Sequence, residues 1–119
     1  MLLLAGCLFF WMICGHAIAD YCLQTDWIAR GKSWINNPDG KMGEPWWRIM
    51  AAHALCHGGI TGLLTGWVVI GVVETVLHYA IDCAKVRGDI NGHVDQALHA
   101  LCKLIYAMIL AFIMTGGEL

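Results

Sequence analysis

Histidines and acidic residues recur in this chain at a single spacing. His16 precedes Asp20 by four positions, His53 precedes His57, His78 precedes Asp82, and Asp95 precedes His99. Four positions along a helix put two side chains on one face, about a turn apart. Imidazole with carboxylate is a ligand set for zinc, iron or manganese. Helix bundles build one- and two-metal centres from such inward-facing pairs. These residues are therefore candidate ligands for one or two divalent ions, zinc first among them. Gln24, Gln96 and Lys103 continue the same stripes, as hydrogen-bonding or charge-balancing positions around the ligands. Lys103 could instead snorkel outward. Asp20, Asp82 and Glu74 are candidate proton acceptors for a metal-activated water. Two other readings compete with a metal site. A polar network could join helices in lipid, although simple glue would use Ser, Thr or Asn. A proton path would need polar groups at every depth, which these segments lack.

The elements that carry these pairs are apolar runs. The chain has 119 residues, 59% hydrophobic and 13% charged, where soluble domains average about 25% charged. Such a chain is neither disordered nor a water-soluble globule. Residues 2–23, 49–65, 67–85 and 94–115 predict four transmembrane helices of near-bilayer length. The expected fold is a single all-α domain, 1–119, running up-down-up-down. A larger loop, 24–48, contains the turn-prone stretch Asn36 to Gly40. The glycines at 58, 59, 62 and 66 are expected to weaken the second span, with a tight turn near Thr65-Gly66. Ala17-Ile18-Ala19 also fits a signal-cleavage site and Leu4 to Cys7 a lipoprotein box, but neither has a basic leader.

Lys and Arg set the expected orientation. Arg30, Lys32, Lys41 and Arg48 lie in the first loop and Lys85 and Arg87 after the third span, whereas the opposite face has none. Both loops are then cytoplasmic and both termini outside, in a bacterial inner membrane. The four pairs alternate between C-terminal and N-terminal helix ends, so all of them meet near the cytoplasmic interface. Arg30, Lys32, Lys85 and Arg87 could hold an anionic lipid head group, or simply set topology. Trp27, Trp34, Trp46 and Trp47 read as an interfacial belt. A net charge of −2 gives no basic patch for nucleic acid. The cysteines read as reduced packing residues.

The segments His16 to Trp27, His53 to Gly58, His78 to Lys85 and Asp95 to His99 resemble the small phage and bacterial membrane proteins of the domain-of-unknown-function 3307 family. The chain is also similar, more distantly, to LexA-regulated inner-membrane proteins described as metal-dependent hydrolases. That likeness implies metal-dependent hydrolysis and supplies no substrate. A site at interface depth beside basic residues suits a phospholipid or lipid-linked phosphate. The non-enzymatic alternative is a phage or bacterial membrane protein that binds a host membrane component, its core held by metal or hydrogen bonds.

Overall fold

The computed structural model describes residues 1–117. Residues 118 and 119, which the single-domain reading includes, lie outside the described residues. The described chain is helical, with no strand. Helix α1 (Leu2–Ala17) runs directly into a π-helical turn, Ile18–Leu23. A short α2 (Asp26–Gly31) follows, then α3 (Trp46–Thr65), α4 (Val68–Arg87) and α5 (Gly92–Met114). The long helices close a ring: α1 packs on α3 and α5, and α4 on α3 and α5. Short connections, residues 66–67 and 88–91, make α4 antiparallel to both α3 and α5, as in up-down bundles.

The boundaries have local causes. Gly66 ends α3 in the left-handed conformation (φ 72°), which glycine adopts without a Cβ penalty. The side chain of Asn91 caps α5 by accepting from the His93 and Val94 amides, both at 3.0 Å. That cap starts the helix at Gly92, and it puts the exposed His93 in the first turn. Similarly, α3 starts at Trp46, directly after Pro45, rather than at 49.

The glycines lie within a continuous α3, and Gly58 and Gly62 are where α4 touches it. A Cβ on Gly58 would collide with the Thr75 side chain and the Gly71 carbonyl, whereas one on Gly59 would meet nothing within 4 Å. Small residues four apart let helix backbones approach closely in this way. Loop 24–48 is also more ordered than its turn-rich sequence suggests. Thr25 caps α2 by accepting from the Ile28 amide at 3.3 Å. Asn37 is fully buried, donates to the carbonyls of Gly31 (3.0 Å) and Glu44 (2.9 Å), and accepts from the Met42 amide (3.0 Å). This one side chain ties the loop shut.

Among the described residues, two helical runs are long and apolar enough to cross a membrane: Leu2–Leu23 (22 residues, mean hydropathy 2.1) and Gly92–Met114 (23 residues, 2.0). The expected number was four. The 20-residue α3 and α4 are long enough, but histidines and glycines in one and Glu74, Asp82, Lys85 and Arg87 in the other lower their hydropathy.

Candidate metal centre

Each long helix sends ligand-type side chains into one end of the bundle. His16 lies near the end of α1 and Asp20 in the π-helical turn beyond it. His53 and His57 come from the middle of α3. Glu74, His78 and Asp82 form a ladder on α4, and Asp95, His99 and Lys103 one on α5. Successive rungs are about 6 Å apart, four residues at about 1.5 Å each. All of these side chains except Asp20 are buried, and the Asp20 side chain is only 11% exposed. The rings of His57, His78 and His99 stack in a column, with centroids 3.6 Å and 4.1 Å apart.

Two aspartates hold the cluster together. Asp20 turns Oδ1 to His57 Nε2 (3.1 Å) and His53 Nε2 (3.5 Å), and Oδ2 to His16 Nε2 (3.3 Å). Asp82 turns Oδ2 to His53 Nε2 (3.6 Å) and His78 Nε2 (3.8 Å), and Oδ1 to His99 Nε2 (3.5 Å). Asp95 Oδ1 also stands 3.5 Å from His99 Nε2. His53 Nε2 and His78 Nε2 are 3.3 Å apart. Donors on one tetrahedral ion lie about 3.3–3.5 Å apart, given metal–nitrogen bonds of about 2.0–2.1 Å. Three groups have ligand atoms within 4.8 Å of one another: Asp20, His53, His57 and His78; Asp82, Asp95 and His99; and His16, Glu74, His78 and His99.

Several of these atoms have no hydrogen bond. His16 Nε2, Asp95 Oδ1 and both ring nitrogens of His99 are buried without a partner of hydrogen-bonding geometry. Leaving a buried polar atom unsatisfied costs about 1–3 kcal/mol. The donor set therefore fits a divalent cation by distance, by residue type and by its unmet polar atoms.

The supporting residues divide. Gln96 Nε2 donates to Asp20 Oδ2 (3.1 Å) and Asp95 Oδ2 (3.2 Å), tying two carboxylates together. Gln24 instead donates to the Asp20 carbonyl of its own turn, at 3.4 Å. Lys103 does not snorkel; it is 1% exposed and ion-paired with Glu74. Glu74, the third candidate proton acceptor, thus has its carboxylate on an ammonium at the deepest rung, as Asp82 has on Lys32. Arg30 and Arg87 lie outside the cluster, paired with Asp26 (3.2 Å) and Asp89 (2.6 Å). Lys32 and Lys85 enter it, reaching Asp82 Oδ2 (2.5 Å) and Asp95 Oδ2 (2.6 Å). Their count in a loop suggested topology, but nothing in the pattern showed that they salt-bridge the ligands. Tyr106, buried on the same stripe of α5, was also missed. It follows Lys103 by three positions, and that spacing could have flagged it. A polar recess of about 380 Å³, lined in part by Gln24, Lys32, Asp82 and Lys85, opens onto the cluster from the loop side.

These features define a class: an all-helical protein whose bundle closes around a histidine–carboxylate cluster. The chain belongs to the family described as Protein of unknown function (DUF3307), whose model matches residues 8–116. No curated protein matches it, and no solved structure does.

Proposed function

We propose that this protein is a metal-dependent hydrolase of the bacterial inner membrane, acting at the cytoplasmic leaflet. The observation that carries the reading is that His16 Nε2, Asp95 Oδ1 and both ring nitrogens of His99 are buried without a hydrogen bond, beside Asp20 and Asp82, each of which faces three histidines. We assign the donors to two sites, one of His53, His57, His78 and Asp20 and the other of His16, His99 and Asp95, with Asp82 facing both. Zinc is the leading ion, with iron or manganese as alternatives. A divalent ion there would supply a water of lowered pKa and polarise the bond to be broken. Asp20, the most accessible of the cluster carboxylates, would take that water's proton, with Asp82 or Glu74 as the alternative. Lys32 and Lys85, at the polar recess, suit an anionic, phosphate-bearing head group. Four spans are supported by the lipid-like exterior of α3 and α4, where Leu55, Leu63, Val68, Val72 and Val76 are exposed. Glu74 and Lys103 pair inside the ring, as intramembrane charges do.

A second reading rests on a different observation. Lys32, Lys85 and Lys103 already pair three of the four cluster carboxylates, so the core could be a hydrogen-bonded and ionic scaffold for binding a host membrane component. Metal analysis of detergent-purified protein separates the two. We expect stoichiometric zinc, iron or manganese in the parent and its loss in His53→Ala/His57→Ala. A parent without metal would falsify the hydrolase. Where metal is found, a screen of phospholipid turnover tests the reaction.

A further inference from the structure

Besides the polar recess, a second cavity reaches the cluster from the side. It has a volume of about 310 Å³ and lies between the π-helical turn, α2 and α3. Leu23, Ile28 and Ile49 give it aliphatic walls, and the small residues Ala19 and Ala52 leave room between them. Its only charged lining residues, Glu44 and Arg48, pair with each other at 3.2 Å. Its inner wall is His53, the histidine whose Nε2 stands 3.5 Å from Asp20 and 3.6 Å from Asp82. The polar recess, in turn, is lined by Asp82. The two cavities therefore approach the cluster from different directions and come together at the His53–Asp82 contact.

Their linings differ in kind. Lys32 and Lys85, ion-paired with Asp82 and Asp95, line the recess, so it offers hydrogen bonds and ammonium groups. The side cavity offers almost none, and a polar group buried there would lose its hydration without compensation. Small-molecule sites are mostly apolar, with a few placed polar groups, from about 300 Å³ upward. The wall that Ala19 and Leu23 give this cavity comes from the π-helical turn, a distortion frequent at functional sites.

Resting on the hydrolase reading, we infer that the side cavity takes an aliphatic chain of the substrate while the polar recess takes its anionic head. The substrate class is then a chain-bearing amphiphile whose scissile group sits between them, at His53 and Asp82. A soluble phosphoester, which has no chain to bury, is outside that class.

The test uses full-length protein in phospholipid nanodiscs and a dodecyl phosphate probe with a diazirine at the chain end, its adducts mapped by peptide mass spectrometry. Adducts are expected at Ile28 and Ile49, the less exposed residues of the wall, with few on the outward Val72 and Val76 of α4. Ala52→Trp, which fills the cavity, should cut wall labelling about tenfold through steric exclusion and leave the metal content unchanged. Labelling spread evenly over the outer faces, or undiminished in metal-loaded Ala52→Trp, overturns the inference and leaves the hydrolase reading standing. Wall-specific labelling of a protein that carries no metal overturns the substrate assignment together with that reading. The adduct map of the parent needs no variant, so a misfolded Ala52→Trp does not spoil the test.

Discussion

At the scale of single residues, the deepest charges make the sharpest statement. Lys103 and Glu74 are each 1% exposed, and removing one partner strands the other charge. Lys103→Met should therefore destabilise the protein by about 3–5 kcal/mol, the usual cost of breaking a buried pair. Adding Glu74→Gln should recover most of that loss, because the double variant buries no charge. Thermal unfolding in detergent measures both. Within the proposed metal centre, Asp82 and Asp95 should differ. Asp82 presents an oxygen to each histidine group, whereas Asp95 faces His99 alone among the histidines. Asp82→Asn is expected to lower metal content at both sites, and Asp95→Asn at one, read as ions per chain. Equal losses in the two variants would contradict the division into two sites.

At the scale of elements, the α3–α4 contact depends on missing side chains. Gly58→Ala forces a Cβ into Thr75 and the Gly71 carbonyl, an overpacking expected to cost about 1–3 kcal/mol. Gly59→Ala, one position along, meets nothing and should stabilise the helix by about 0.5–1 kcal/mol. Unfolding of the two variants side by side checks the contrast. Asn37→Ala removes three loop hydrogen bonds, worth about 0.5–1.5 kcal/mol each. It should leave the α3–α4–α5 portion folded while speeding proteolysis within residues 24–48. The legibility of these elements follows from the same physics. A spacing of four reports helix faces directly, so the His/Asp pairs and their common end could be read from the chain. The π-helical turn at Ile18–Leu23 could not, since IADYCL carries no residue that demands it. Nor could the Lys32–Asp82 bridge, because it joins positions 50 apart through a loop whose closure depends on one asparagine. The packing role of Gly58 and Gly62 was not legible, because the residue that weakens a lone helix is also the one that lets two helices touch.

At the scale of the molecule, the distribution of polarity is inverted relative to a soluble fold. The largest fully buried side chains include Lys103, His57, His78, His99, Glu74 and Asp95, while leucines, valines and phenylalanines cover the outside. An exposed apolar surface of this extent marks contact with lipid or a partner. For the proposed four-span topology, reporter fusions at the N-terminus and after Gly117 should read out as external, and fusions at Asp39 and Asp89 as cytoplasmic. A cytoplasmic C-terminus would remove one span. The two-residue turn at Gly66–Trp67 has a further consequence for how such a protein enters a bilayer. Neither α3 nor α4 is well suited to partition alone, since each carries ionisable groups that hydrocarbon disfavours. Joined this tightly, they would leave the insertion machinery as one hairpin. His53 and His78, 3.3 Å apart, could satisfy each other before α1 and α5 arrive. On the proposed four-span topology, lengthening that connection would expose the two histidines singly and is expected to lower the yield of inserted protein.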